Sequence, residues 1–478
     1  MSKLKNIIKQ LSEKDYAAIY DSLMQSNAEK SAYLLKYMRE KQLSDAKVME
    51  ALEVNSNAYY TLRSRLNQKI EEYLLQQMES PRTTLIKKVA TINEILFTKK
   101  NAIAIATLKK LEKELIDYDL SNELTIVYKT LKKLNINTPD HFMYSQLYNK
   151  HVAYMLALDK AEDILAEYFK KYGNFLLSNN ETDKLGLSIL KQEMENVAKL
   201  YQSHRLYVYQ SALNVFHRLY VEADNSEDAE PIETIFNKVQ VIFDQYYMDA
   251  IYYHLILVFD YLRMEYYFRN NDVRQSEKYF EDVNESIATL VTNYNLYTFT
   301  PQALLTKLLR ASRMNEETQL YEENKKLFED FEVDKNNTAL YTIYITYRAI
   351  SCYHSNRYDE SARMINNMLN DISLKKTPFT FLEIKLLLAL QYCLMKEQDL
   401  FNQLINSIQR QVRLLGKDSC VHVMIFIKIM KISLNEAKKG KATKIQGQLN
   451  KLTKVMPVYY TPLRYFKLDE TLVSRLVG

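Results

Sequence analysis

The stretch RAISCYHSNRYDES, residues 348–361, decides the fold because it aligns without gaps to RMEYYFRNNDVRQS at residues 263–276. In both segments, apolar residues at three- and four-residue spacing precede an Asn-containing turn, after which the spacing resumes. This pattern is typical of one helix that ends, a tight turn and a second helix that begins. The segments lie 85 residues apart, which corresponds to two helix-pair repeats of about 42 residues. The sequence therefore predicts tandem helical hairpins.

Glycine and proline are scarce, with six and seven residues among 478. Hairpin turns and parallel-sheet loops depend on Gly-rich sequences, so this scarcity argues against β-structure. Five prolines directly follow Ser or Thr, a pair that starts helices because the hydroxyl caps free N–H groups and proline fits the first helical position. These pairs are Ser80–Pro81, Thr138–Pro139, Thr300–Pro301, Thr377–Pro378 and Thr461–Pro462. We therefore predict an all-α chain of about twenty helices.

Residues 349–368 resemble the tetratricopeptide-repeat family. Its spacing is followed by Ala349, Cys352, the turn NRYDES at 356–361, Ile365 and Met368. Asn356 stands where the family has Gly, and Ser361 where it has Ala. The resemblance implies a right-handed superhelical solenoid of antiparallel, TPR-like helix pairs, whose concave surface binds peptides or proteins. The helical periodicity predicts that this array extends over residues 81–478. Residues 1–80 would form an N-terminal helical region.

The three cysteines, Cys352, Cys393 and Cys420, are widely spaced and odd in number, so we expect no disulfide framework and a reducing compartment. The first residues lack the continuous apolar core of a signal peptide. The longest apolar stretches are shorter than a membrane span. We expect a cytoplasmic protein without membrane insertion.

Sequence motifs for catalysis are missing: there is no Gly-rich phosphate loop, His-Glu-x-x-His helix or G-x-S-x-G elbow. Two Cys-x-His pairs occur, at Cys352/His354 and Cys420/His422. Residues two apart on a helix point about 200° apart, so one pair cannot bind one metal ion. We expect no enzymatic activity and no catalytic, cofactor-binding or metal site.

Charge is distributed unevenly along the chain, whose net charge is +5. Residues 121–371 carry 26 basic and 36 acidic groups, whereas residues 372–478 carry 18 and 7, a net +11. A predicted amphipathic helix in this basic region carries Lys441, Lys444 and Lys451 along one edge. These lysines are candidate contacts for a partner with acidic side chains or phosphates, although a solvated face explains them as well.

Tyrosine is abundant, with 38 residues, and is densest between Tyr246 and Tyr267. Adjacent tyrosines on a helix diverge by about 100°, so one of each pair can pack while its neighbour faces outward. Tyr253 and Tyr267 are therefore candidate contacts for a peptide partner. Packing between successive helices is the alternative explanation of the cluster.

Residues 43–70 loosely resemble a helix-turn-helix. Ser44 could cap a short helix that ends at Leu52, and Ser56 could cap a second helix. The second helix would carry Tyr60, Arg63, Arg65 and Lys69 into a DNA groove. A helical hairpin of the repeat type explains the same residues.

Two functions follow as hypotheses. The first is a non-catalytic scaffold or adaptor that binds a protein or peptide partner, possibly acidic, along a concave helical surface. The second is a DNA-linked transcriptional regulator in which residues 43–70 contact nucleic acid and the repeat array senses a peptide.

Overall fold

The computed structural model describes residues 4, 8, 11–26, 28–39, 45–77, 80–201, 203–222, 229–292, 300–328, 331, 333–435, 440–457 and 459–478. The chain divides into two compact units. The first comprises residues 1–145 and 248–250, and the second comprises residues 146–247 and 251–478. The predicted boundary between residues 80 and 81 lies inside the first unit.

The described residues form 23 α-helices and no β-strand, so the all-α prediction is confirmed. Eight helices lie in the first unit: α1 (Glu13–Gln25), α2 (Glu29–Arg39), α3 (Asp45–Ala51), α4 (Ser56–Gln77), α5 (Pro81–Ala90), α6 (Ile92–Thr98), α7 (Asn101–Asp117) and α8 (Ser121–Leu134). Helix α9 (Asp140–Ser178) contains the boundary between the units. The second unit continues with α10 (Glu181–Leu200), α11 (His204–Tyr220), α12 (Ile232–Gln245), α13 (Tyr253–Arg269), α14 (Val273–Thr292), α15 (Thr300–Met314), α16 (Leu320–Leu327), α17 (Thr338–His354), α18 (Tyr358–Asp371), α19 (Pro378–Met395), α20 (Gln398–Leu415), α21 (Val421–Asn435), α22 (Lys441–Leu452) and α23 (Glu470–Val477).

Each of the five Ser/Thr–Pro pairs lies at the start of a helical segment, as predicted. The hydroxyl of Ser80 accepts a hydrogen bond from the Thr83 backbone N–H at 3.2 Å. Thr461 caps a short 3₁₀ turn by accepting from the Leu463 N–H, also at 3.2 Å. Thr377 differs, because its hydroxyl makes no capping hydrogen bond and only the proline marks the helix start. At some of these helix starts the Ser or Thr hydroxyl therefore forms the cap. At others the fixed backbone angle of proline is enough to begin the helix.

The turns between paired helices use asparagine in the left-handed conformation. Asn271 and Asn356, which occupy equivalent positions in the two aligned segments, both have φ of 58°. Asparagine tolerates this region better than other residues with a β-carbon, so it replaces the glycine that usually ends a helix. In each turn the next backbone N–H closes on the preceding helix: Asp272 donates to the Tyr267 carbonyl and Arg357 to the Cys352 carbonyl, both at 2.9 Å. The predicted Asn turn is confirmed.

A left-handed residue recurs at every hairpin of the second unit from α13 onward. These residues are Asn271, Asn315, Asn356, Lys396 and Gly440, and successive ones are 44, 41, 40 and 44 residues apart. The first four connect the helices of α13–α14, α15–α16, α17–α18 and α19–α20, and Gly440 precedes α22. The predicted repeat length of about 42 residues therefore matches the observed spacing.

A serine on the second helix of two hairpins fixes the distance to the first helix. Ser276 donates to the Met264 carbonyl at 3.0 Å, and Ser361 donates to the Ala349 carbonyl, also at 3.0 Å. Both serines are buried, and both bonds span twelve residues. A small residue at this position lets the two helices approach closely, and its hydroxyl is satisfied by a carbonyl of the facing helix.

Helix α19 lies in the core of the second unit. It is long and apolar enough to meet the length and composition criteria of a membrane span, but 61% of it is buried inside the structure. The buried residues belong to the same core as those of α15, α17 and α21. Burial on almost every face explains why α19 shows little alternation between apolar and polar residues.

The last 20 residues, 459–478, fold back over this core and are called the C-terminal segment. Its 3₁₀ turn, Pro462–Tyr465, packs against α15 and α19. The ring of Phe466 meets that of Tyr353 on α17 edge-on, with centroids 4.7 Å apart. Arg475 on α23 donates to the carbonyls of Tyr353 and His354 at the end of α17.

Candidate functional site

A pocket of about 600 Å³ opens between α13, α14 and α15 of the second unit, and we call it the anchor pocket. Both segments that flank the first Asn turn contribute to it, because Asn271 directs α14 back along α13. The lining residues are Met264, Glu265, Phe268, Val273, Ser276, Glu277, Phe280, Thr306, Arg310, Arg313 and Met314. Phenylalanine and methionine side chains make its walls largely apolar, while charged groups are placed at a few positions.

The base of the anchor pocket is a buried polar network around Glu265. The Tyr261 hydroxyl lies 2.8 Å from the Tyr220 hydroxyl and 2.8 Å from the Thr306 hydroxyl. Burial raises the pKa of the Glu265 carboxyl, and this rise is opposed by the charges of Arg269 and Arg313 and by hydrogen bonding to Tyr220 and Thr306. A carboxyl group in such surroundings can form hydrogen bonds with a ligand that displaces water from the pocket.

Two arginines from α15 form the outer part of the anchor pocket. The guanidinium of Arg310 lies over the ring of Phe280 and donates to Glu316 at 3.0 Å. The guanidinium of Arg313 lies over the ring of Phe268, and its side chain is exposed. Partial desolvation lowers the pKa of both guanidinium groups, although they stay charged at neutral pH. Arg313 therefore presents donors for a carbonyl or carboxylate beside an apolar surface.

The predicted tyrosine contacts lie outside this pocket. Tyr253 is 54% exposed at the start of α13, while its neighbour Tyr252 is 1% exposed, so the expected alternation within a pair is confirmed there. Tyr267 is half-buried and stacks on Tyr279 with ring centroids 6.3 Å apart. A third member of the cluster, Tyr261, reaches the base of the anchor pocket. Most of the cluster packs between helices, as the alternative explanation proposed.

The three predicted lysines of α22 do not share one exposed edge. Lys441 is buried, and its ammonium group donates to the Ser433 carbonyl at 2.7 Å. Lys444 and Lys451 are exposed. Lys441 therefore lies in the structural core of the α21–α22 hairpin, where its ammonium satisfies a carbonyl near the end of α21, rather than on a partner-facing surface.

The predicted DNA-contact residues lie on α4 in the first unit. Arg65 and Lys69 line a cleft of about 650 Å³ together with Lys30 and Glu29 of α2. Tyr60 is exposed and Arg63 is half-buried, and neither lines this cleft. The cap of α4 also differs from the prediction: Asn55 accepts from the Ala58 N–H at 2.9 Å, and Ser56 is the first helical residue. Ser44, the other predicted cap, lies outside the described residues.

Histidine and cysteine side chains occupy structural positions in the second unit. His422 donates to Glu383 at 2.5 Å, and the other oxygen of Glu383 accepts from Thr461 at 2.5 Å, with all three side chains buried. Burial raises the pKa of Cys420 to about 11 and that of Cys352 to about 12. Among the described residues, no cluster of three or more His, Cys, Asp and Glu side chains has the arrangement of a metal site.

Sequence reasoning missed the residues that form the anchor pocket: Glu265, Thr306, Arg310 and Arg313. Glu265 lies within the quoted repeat segment and follows Val258, Tyr261 and Leu262 on the buried face of α13. The sequence did contain one signal for the site: helical periodicity places the Glu265 carboxyl group on the buried face. Charged residues are rarely buried without a partner. One partner, Arg269, is local, four residues further along α13 at 3.9 Å. The others come from α11 and α15, which no local pattern connects to Glu265.

Comparison with known proteins gives no relative. No protein-family model matches the chain, and no curated protein sequence or solved structure matches it. A function must therefore be argued from the residues and their geometry.

Proposed function

We propose that this protein is a non-catalytic scaffold that binds a peptide or protein segment on a tetratricopeptide-like array of helical hairpins. The observation that carries the proposal is the anchor pocket, which lies between consecutive hairpins. Its volume of about 600 Å³ is in the range of ligand-binding pockets. The recurrence of hairpins at 40 to 44 residues supports the comparison with a superhelical solenoid.

The pocket suits an apolar side chain of a peptide with polar groups on either side of it. Phe268, Phe280 and Met314 would bury the apolar side chain. At the base, the Glu265 carboxyl group would form a hydrogen bond with the peptide. At the rim, Arg313 would donate to a backbone carbonyl or a carboxylate. Aromatic and arginine residues are also the residues that most often dominate binding energy at interfaces.

The buried cysteines are poor candidates for catalytic nucleophiles. The thiolate is the reactive form of cysteine, and burial raises the pKa of Cys393 and Cys420 to about 11. The three cysteines are unpaired. This fits the reducing environment of the cytoplasm, which is the location that we propose.

A peptide library displayed on phage tests the proposal. The full chain is used for selection, and selected peptides are synthesised with a fluorescent label for measurement of Kd by polarisation. Replacing Arg313→Ala should weaken binding by about tenfold, the effect of losing one arginine contact at an interface. The matched control is Arg274→Ala, which removes another exposed arginine, from α14, that does not line the pocket. Glu265→Gln keeps the shape of the base and should alter the Kd with little change in fold.

Two results would contradict this assignment. Failure of the selection to yield a peptide that binds in solution would remove the scaffold proposal. Peptides that bind Arg313→Ala and Arg274→Ala equally would place the binding surface elsewhere on the array and reject the anchor pocket.

The DNA-linked regulator is the second candidate function, and the cleft beside α4 favours it. Lys30, Arg65 and Lys69 bring three cationic side chains to one opening, which would suit a phosphate backbone. A titration of a labelled DNA duplex over a salt series decides between the functions. Affinity that falls steeply with salt in the native chain, and is reduced in Arg65→Gln, would support it. No duplex binding at low salt would remove it.

A further inference from the structure

Another opening of the second unit lies between α20 and α21, far along the sequence from the anchor pocket, and we call it the basic cleft. Its volume is about 400 Å³. Four basic residues line it: Arg413, Lys417, Lys428 and Lys431. Three apolar residues also line it: Val412, Met424 and Ile427.

The local structure explains why the four cations meet. Met424, Lys428 and Lys431 recur at four- and three-residue spacing, so they share one face of α21. Helix α20 ends at Leu415, and its cap Gly416, with φ of 94°, turns the chain so that the next residue, Lys417, lines the cleft. Arg413 comes from the last turn of α20.

Among the described residues, the cations of the basic cleft have no acidic partner. No described Asp or Glu lines the cleft, and none of the four side chains forms an ion pair or hydrogen bond with another described residue. Cations near a helix C-terminus stabilise the helix dipole, which accounts for Arg413 and Lys417 but not for Lys428 in the middle of α21. Four like charges gathered around one opening repel one another, and this repulsion is relieved when an anion binds.

The apolar side chains distinguish between kinds of anion. Ile427 is buried at the base, and Met424 is exposed. Single-stranded nucleic acids stack their bases on aromatic side chains, and the cleft has none. An acidic peptide, in contrast, brings carboxylates for the cations and an apolar side chain for Met424, whose flexible thioether adapts to different shapes.

We propose that the basic cleft binds an acidic peptide segment. Its carboxylates pair with Arg413, Lys417, Lys428 and Lys431, and one apolar side chain packs on Met424 and Ile427. The inference does not depend on the anchor pocket, because the two openings share no residue.

Fluorescence polarisation with the full chain tests this inference. The probe is a labelled twelve-residue peptide built from the repeat Glu-Glu-Leu-Glu, and the comparison peptide has Gln in place of each Glu. The Glu peptide should bind, with a Kd that increases as salt is raised from about 50 mM to about 200 mM, and the Gln peptide should not. The double variant Arg413→Glu with Lys428→Glu should weaken binding by at least about tenfold, because like charges then face each other across the interface.

The matched control is Lys375→Glu with Lys376→Glu, which makes the same charge change on two exposed lysines that line neither opening. Its Kd should stay within about twofold of that of the native chain. Equal weakening in both double variants would mean that only overall charge matters and would overturn the inference. So would absence of Glu-peptide binding at low salt, or tighter binding of a single-stranded oligonucleotide at the same residues.

Circular dichroism checks that each variant is folded. If Arg413→Glu with Lys428→Glu unfolds the chain, Lys428→Gln with Lys431→Gln removes two charges without introducing new ones. This second variant should still weaken binding of the Glu peptide by several-fold and reduce its salt dependence, because two of the four cations are lost. An unchanged Kd would overturn the inference.

Discussion

The attachment of the C-terminal segment gives a sharp test of the structure through the substitution Thr461→Val. The two side chains have nearly the same volume, so packing is retained while the hydroxyl is lost. This hydroxyl donates to Glu383 at 2.5 Å and accepts from the Leu463 N–H at 3.2 Å. Both interactions are buried, and the second oxygen of Glu383 already accepts from His422.

The expected magnitude follows from these contacts. A hydrogen bond to a charged group contributes about 1.5 to 3 kcal/mol, and loss of a capping acceptor costs about 1 kcal/mol more. The substitution should therefore lower the free energy of opening of the C-terminal segment by about 2 to 4 kcal/mol. At the lower end this is about a thirtyfold increase in the open fraction, since about 1.4 kcal/mol corresponds to a factor of ten.

Hydrogen exchange measured by mass spectrometry reads this change directly. Amides in residues 459–466 should exchange at least about thirtyfold faster in Thr461→Val, because exchange follows the local opening equilibrium. The control Thr453→Val removes an exposed hydroxyl that donates only to the Asn450 carbonyl, and it should change nothing measurable. Unchanged exchange in residues 459–466 of Thr461→Val would refute the reasoning. Equal acceleration throughout the second unit would also refute it, since the network would then hold the whole unit rather than the segment.

Two further predictions concern the end of α17 and the turn after it. Burial lowers the pKa of His354 from 6.5 to about 4, so the folded state favours the neutral ring. The corresponding stability is complete above about pH 6.5 and is lost as pH falls toward about 4, by about 3 kcal/mol in total. Between about pH 7 and about pH 4.5, the urea concentration at the unfolding midpoint should thus decrease more for the native chain than for His354→Gln. An equal decrease in the two proteins would contradict this prediction. In the turn, Asn356→Ala should destabilise by about 1 kcal/mol through its left-handed backbone, whereas Asn356→Gly should be nearly neutral. The control is Asn367→Ala, at an exposed position within α18, which should stabilise the protein slightly. If Asn367→Ala destabilises the protein as much as Asn356→Ala, the left-handed backbone is not the cause.

The repeat was accessible from the sequence because its determinants are local. A turn through Asn271 or Asn356, and a small residue such as Ser276 or Ser361 five residues later, are visible within a few positions of one another. Their recurrence after 85 residues then predicts equivalent structures. The same logic placed the helix start at Ser80, where hydroxyl and proline are adjacent.

The anchor pocket was not accessible, because its residues meet only after distant helices pack. Glu265 and Thr306 belong to different hairpins, and the Tyr220 hydroxyl arrives from α11. Helical phase can place Glu265 on a buried face, but it cannot identify which side chains surround the carboxyl group.

In the basic region, too, the sequence predicts the amount of charge but not where the charged side chains meet. Composition gave the net +11 of residues 372–478 and helical spacing suggested an edge on α22, yet Lys441 is buried against the Ser433 carbonyl. The four cations that do converge come from two helices and a turn. Spacing along one helix describes only its own faces, so a cleft between helices depends on how they pack.

The C-terminal segment narrows the surfaces that a partner can use. It packs against α15, α17 and α19, which are the first helices of consecutive hairpins. A peptide that displaced it would have to replace the hydrogen bond from Thr461, since Glu383 would otherwise keep a buried oxygen without a donor. Neither the anchor pocket nor the basic cleft is lined by residues of this segment. Binding at these two openings avoids that penalty, which is the physical reason to test them before the face that the segment covers.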